Sequence, residues 1–177
     1  MSHVLTVLGL PGSGKSTVAR ALGAVRGIPV LSTGEQLRLI AERDAALAAA
    51  LADGRLGPED LVQPIVDQFL RTHPIAVLDG YPRHRAQAEL LQSTGARLWV
   101  LHLRVERETA VSRIMQRPKR GDDRADAIHA RMRRDEAALV EVLRVLSDSV
   151  YAYDAMRSPE AIVHDVLQRF AIEASTD

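Results

Sequence analysis

The chain has no cysteine, no asparagine, only two lysines and few aromatic residues. Each shortage excludes something. Without cysteine there is no disulfide framework and no Cys-based zinc site. Without asparagine the guanine-reading pattern Asn/Thr-Lys-x-Asp loses its commoner form, and the threonine form has no match either. A Ras-like switch is therefore not expected. Aromatics make up 3% of the residues and none interleaves a basic run, so the stacking platform of a single-strand nucleic-acid binder is missing. The formal net charge is zero, which argues against a general nucleic-acid or membrane-surface partner. No apolar run approaches the roughly 20 residues that span a bilayer, and no signal-peptide pattern is visible. A soluble, cytoplasmic protein is the resulting expectation. With 177 residues, 46% of them hydrophobic, the chain reads as one domain with a sizeable core.

One of the two lysines, Lys15, stands in Gly9-Leu10-Pro11-Gly12-Ser13-Gly14-Lys15-Ser16-Thr17. This segment fits the phosphate-loop pattern G-x-x-x-x-G-K-S/T. The apolar run Val4–Leu8 precedes it and a helical pattern from Val18 follows. In that setting, backbone N–H groups converge on phosphate oxygens and the helix N-terminus adds its positive dipole end. Lys15 reaches the terminal phosphates, and the Ser16 hydroxyl is suited to ligate magnesium. The motif predicts a bound nucleoside triphosphate.

Strand-like runs at Val4–Leu8, Ile28–Leu31, Ile75–Leu78, Leu98–Leu103 and Val150–Tyr153 alternate with helical patterns. The helical stretches are Ser16–Arg26, Gly34–Ala52, Pro58–Thr72, Arg83–Gln92, Glu106–Gln116, Arg124–Leu146 and Pro159–Phe170. Alternation of this kind predicts an α/β fold, a parallel sheet with helices on both faces. Ligands of such sheets bind at the carboxyl ends of the strands. Asp79 ends the third apolar run, where a carboxylate can hold magnesium opposite Ser16. Downstream, Arg113, Arg117, Arg120, Arg124 and Arg131 form a basic cluster. Arginine grips phosphate bidentately, so the cluster reads either as a phosphate clamp or as a solvated helical face.

Four segments now stand in order: the loop, Ser32-Thr33-Gly34-Glu35-Gln36-Leu37-Arg38, Asp79-Gly80-Tyr81-Pro82-Arg83 with Gln87, and the Arg113–Arg131 cluster. Their order and spacing resemble those of the adenylate kinases over nearly the whole chain. The resemblance implies a three-layer α/β/α P-loop kinase fold with a five-stranded parallel sheet. Within a single domain of residues 1–177 it implies a small helical monophosphate-binding insert at about 33–62 and a very short lid at about 117–124. It implies Mg²⁺-dependent transfer of a phosphoryl group from ATP to AMP by a monomer whose partners are nucleotides, with neither nucleic acid nor membrane.

Residue roles follow from the same resemblance. Gly12, Ser13, Gly14, Lys15, Ser16 and Thr17 would hold the ATP phosphates, with Arg113 on the donor base and Arg157 in the ATP-binding set. Thr33, Gly34, Arg38, Arg55, Gly57, Gly80, Arg83 and Gln87 would form the AMP site, Gln87 reading the adenine edge. Arg117, Arg120 and Arg131 would clamp the transferred group beside Lys15 and Arg83, with Arg120 and Arg131 also touching AMP. Ser16 and Asp79 would hold the metal.

Three departures from the family pattern stand out. The loop reads Gly14-Lys15-Ser16-Thr17 where the family has G-K-G-T, a form commoner in shikimate and gluconate kinases. Only Pro118 and Lys119 separate Arg117 from Arg120. Asp154-Ala155-Met156 replaces the usual Asp-Gly-Thr near the donor base. A kinase of another small acceptor and a non-catalytic nucleotide sensor are the competing readings.

Overall fold

The computed structural model describes residues 2–53, 55, 57–116 and 125–170. Five strands form one sheet: β1 (His3–Gly9), β2 (Val30–Ser32), β3 (Ile75–Asp79), β4 (Arg97–Arg104) and β5 (Val150–Asp154). The order is β2-β3-β1-β4-β5 and every neighbouring pair is parallel. The helices are α1 (Lys15–Arg26), α2 (Thr33–Ala41), α3 (Ala45–Ala52), α4 (Glu59–Thr72), α5 (Arg85–Ser93), α6 (Arg107–Gln116), α7 (Ala125–Val145) and α8 (Pro159–Phe170).

The period-2 alternation of β1 explains why helices cover both faces. Leu5 and Val7 point to one side, where they pack with Trp99 and Leu101 of β4, Val18 and Leu22 of α1, and Ile162 and Val166 of α8. Val4 and Leu8 point to the other. Val4 joins Leu31, Leu37, Leu47, Val66 and Leu78, while Leu8 joins Val100, Val142 and Leu146. Both layers are dry enough that truncating one of these leucines to alanine costs about 2–5 kcal/mol.

Two expected elements differ in the structure. The single helix expected over Gly34–Ala52 is two, α2 and α3. Asp44 has an extended backbone (φ −130°) and its carboxylate accepts the Leu47 N–H at 2.9 Å, which starts a new helix. The break has a packing reason. Leu37 and Leu47 both enter the cluster around Val66, whereas in one continuous helix they would lie about 15 Å apart along the axis. The second strand also starts later than expected, at Val30. The Ile28 N–H is taken by the Gly23 carbonyl in the turn that closes α1. The other four strands and the remaining helices fall within two residues of their expected ends.

The strand order reverses at β1, which has β3 on one side and β4 on the other. Val7 is the register partner of Asp79, and Ser32 pairs with Asp79 from the far side of β3. The phosphate loop, the Asp79 carboxylate and the start of α2 therefore leave the sheet together, at the crevice where such sheets bind ligands.

Candidate active site

The loop between β1 and α1 is shaped by its glycines. Gly12 has φ +84°, and a Cβ there would lie 2.3 Å from the Ala110 carbonyl oxygen, so α6 packs directly on the loop. Gly14 has φ +91° and serves as the N-cap of α1. Its carbonyl accepts the Thr17 and Val18 N–H groups, at 3.0 and 3.1 Å. The left-handed turn is one that a residue with a Cβ would adopt only with strain. Lys15 curls back over the loop and donates to the carbonyls of Gly9 and Leu10, each at 2.8 Å. Burial pulls its ammonium down to about pKa 8, with the Asp79 carboxylate opposing the drop and Arg83 adding to it. Burial thus disfavours the ammonium on its own, and an anion beside it would relieve that cost.

Asp79 is buried, 4% exposed, and its Oδ2 accepts the Ser32 hydroxyl at 2.9 Å. Two residues on, Tyr81 is also buried. Its hydroxyl donates to Gln63 Oε1 at 2.8 Å, and desolvation raises its pKa to about 12. Thr33 donates its hydroxyl to the Gly80 carbonyl at 3.1 Å, and Arg83 Nε donates to the same oxygen at 3.2 Å. Arg83 is held below its ordinary pKa by burial, with Asp135 the leading opposing charge and Arg131 pushing it further down.

These elements enclose a cleft of about 300 Å³. Gly12, Gly14, Lys15, Ser16 and Thr17 line it from the loop, Gly34 and Arg38 from α2, and Asp79, Gly80 and Arg83 from the end of β3. Arg113 and Arg131 complete it from α6 and α7. Its charged lining is six cations (Lys15, Arg20, Arg38, Arg83, Arg113, Arg131) against one carboxylate, Asp79. In a chain of zero net charge, that concentration focuses a positive potential on one crevice. Arg113 also donates to the Ala155 carbonyl at 3.0 Å, which ties α6 to the segment after β5.

The residue model of the adenylate kinase family matches residues 7–149. The adenylate kinase of Mycobacterium leprae (strain TN) is 35% identical over 172 residues, covering 89% of this chain and 93% of that protein. The adenylate kinase of Mycobacterium tuberculosis (strain ATCC 25618 / H37Rv) is 36% identical over 170 residues, covering 88% and 92%. Adenylate kinase 1 of Synechocystis sp. is 37% identical over 145 residues, covering 75% and 76%. The chain belongs to the adenylate kinase family. This family member is accordingly a phosphotransferase with a phosphate group as acceptor, of the nucleoside monophosphate kinase type.

Not every expected site residue of this adenylate kinase family member reaches the cleft. Ser13 is buried under the loop, its hydroxyl without a hydrogen-bond partner among the described residues. Gly57 packs on Leu37, where a Cβ would sit 2.4 Å from Cδ1. Arg55 is exposed and pairs with Asp53 at 3.6 Å, and Arg157 is exposed and pairs with Asp165 at 2.6 Å. Gln87 is 3% exposed. Its Oε1 accepts the Arg83 backbone N–H at 2.8 Å and its Nε2 donates to Glu59 at 2.9 Å. Arg117 and Arg120, and with them the expected lid, lie outside the described residues.

Two charged residues at the site were not anticipated: Arg20, which lines the cleft, and Asp135, which lines the smaller cavity beside it. Arg20 lies three residues past Thr17 on α1, a helical spacing that could have flagged it. Asp135 stands four residues past Arg131, the same kind of signal.

Proposed function

We propose that this chain transfers the terminal phosphoryl group of ATP to AMP, in a magnesium-dependent reaction that yields two molecules of ADP. The observation that carries the reading is the placing of the phosphate loop and the pair Arg38 and Arg83 around one cleft. A donor triphosphate on Lys15 then faces an acceptor anion on the two arginines. The acceptor is AMP because the relatives that cover most of this chain bear the name adenylate kinase.

The acceptor phosphate is already an anion, so the chemistry requires no general base. Alignment and charge neutralisation suffice. Lys15, Arg83 and Arg131 hold the transferred group, with Arg117 and Arg120 as further members of the clamp. Arg38 holds the acceptor beside Thr33, Gly34 and Gly80, and Arg55 and Gly57 are assigned to the acceptor side by the family pattern although they stand outside the cleft. Arg113 and Arg157 serve the donor nucleotide. The helical segment at about 33–62 acts as the acceptor insert. Gln87 keeps one N–H and one lone pair after bonding Glu59 and Arg83, enough to read an adenine edge once the contact between α4 and α5 parts.

The donor set fits magnesium. Asp79 and Ser16 are hard oxygen ligands on the same cleft, and no cluster of three or more His, Cys, Asp or Glu side chains exists among the described residues. Mg²⁺ is commonly held this way, by one carboxylate, the substrate phosphates and water. When bound, the ion would neutralise charge on the bridging phosphates. Ser16 and the loop form Gly14-Lys15-Ser16-Thr17 also suit kinases of other small metabolites, the one feature favouring a different acceptor.

Arg83→Ala is expected to reduce transfer by about a thousandfold or more, the scale of a transition-state arginine, while ATP affinity changes little. Binding measured by calorimetry beside steady-state rates separates the two effects. An equal loss of ATP binding and of rate would contradict the acceptor role.

A further inference from the structure

Beside the phosphate cleft lies a second, smaller cavity of about 60 Å³. It shares Pro11, Lys15, Gly80, Arg83 and Arg131 with the cleft and adds the apolar walls Leu8, Pro82 and Leu139. Gly9 and Asp135 complete its lining, Asp135 being its one carboxylate among the described residues. The space suits about two water molecules and no nucleotide. The Asp135 side chain is only 17% exposed, with Oδ2 at 3.6 Å from Arg131 Nε and Oδ1 at 3.3 Å from Arg134 Nη2.

A carboxylate here is unexpected. Transfer between two anions gains nothing from a third negative charge next to the clamp, and the metal role belongs to Asp79. The three cations around it supply a reason. Lys15, Arg83 and Arg131 share one small volume, and each repels the others. Asp135 opposes that repulsion: it is the leading opposing charge on Arg83 and stands second to Asp79 on Lys15, while Arg131 lowers the pKa of both. Half-buried cations without an opposing charge would splay or draw in solvent anions. Once a phosphoryl group sits on Lys15, Arg83 and Arg131, the same carboxylate becomes a like-charged neighbour.

We propose that Asp135 is a built-in counter-anion, a positioning residue that offsets the mutual repulsion of Lys15, Arg83 and Arg131 and loosens their grip on bound phosphate so that product leaves. The proposal rests on reading the cleft as a phosphoryl-transfer site but not on the identity of the acceptor. In many enzymes product release limits turnover, and where it does a residue that weakens product binding raises kcat.

The test compares Asp135→Asn, which removes the charge and keeps the shape, with Asp135→Glu, which keeps the charge. The probes are ADP and inorganic tripolyphosphate, the latter carrying no base. Asp135→Asn is expected to bind both about tenfold more tightly, with kcat and KM falling together. The gain should shrink as salt is raised, because it is electrostatic. Asp135→Glu should bind like the parent. Unchanged or weaker binding of tripolyphosphate by Asp135→Asn would overturn the proposal, leaving the carboxylate a mere orienter of Arg131. Tight binding by Asp135→Glu would overturn it as well, since charge would then not be the cause. If AMP proved not to be the acceptor, the tripolyphosphate result would still stand or fall alone.

Discussion

Lys15 is destabilised in the empty site and relieved by its ligand. Its folded-state pKa of about 8 lies below the ordinary 10.5 because burial penalises the charge. Bound phosphate adds opposite charge and moves that value up again. The sign follows. Above pH 8 the empty loop holds a neutral amine while the nucleotide complex holds an ammonium, so binding takes up a proton and weakens as pH rises. The loss is at most about tenfold per pH unit. For folding, the unfolded chain keeps the Lys15 proton from pH 8 to about 10.5 while the folded chain has lost it. This group's contribution to stability therefore rises with pH across that window. Calorimetry of ATP binding at pH 9 in two buffers of different ionisation enthalpy is expected to show proton uptake. An identical binding heat in both buffers would contradict it.

At the scale of elements, the join between α2 and α3 supports the Arg38 side of the cleft, the side proposed for the acceptor. Arg38 projects from α2, and α2 is braced on α3 through Leu37 and Leu47. The Asp44 cap keeps α3 in place. Asp44→Ala is expected to cost about 1 kcal/mol of stability in denaturant unfolding. It should raise KM for AMP with little change in KM for ATP. Unaltered stability, or an equal rise in both KM values, would contradict that role. This element also marks where sequence reasoning fell short. The alanine-rich run from Ala45 has such high helix propensity that one helix across Gly34–Ala52 was the natural reading. Tertiary packing of Leu47, together with the Asp44 cap, decided otherwise. The phosphate loop, Asp79 and the strands were legible because each is a local pattern. Ser32 on Asp79, Glu59 on Gln87 and Asp135 beside Lys15 were not, because pairs 28 to 120 residues apart meet only after the sheet and helices dock.

The whole molecule uses charge unevenly. The cleft's lining sums to six positive charges less one, or +5, in a chain whose formal total is zero. The rest of the chain then sums to −5. Such an arrangement steers anionic nucleotides into one crevice and discourages attachment to polyanions elsewhere. No helix among the described residues is long and apolar enough to cross a membrane. The fold built on β2-β3-β1-β4-β5 gathers the phosphate loop, Asp79 and Arg83 at the carboxyl ends of the strands, and the choice of acceptor is the claim on which the proposed function turns. A coupled assay of ADP production from Mg·ATP, run with AMP, CMP, UMP, GMP and gluconate in turn, tests it most directly. AMP should give the fastest turnover, with two ADP formed for each AMP consumed, whereas faster turnover of any other acceptor, or ADP formation indifferent to AMP, would contradict it.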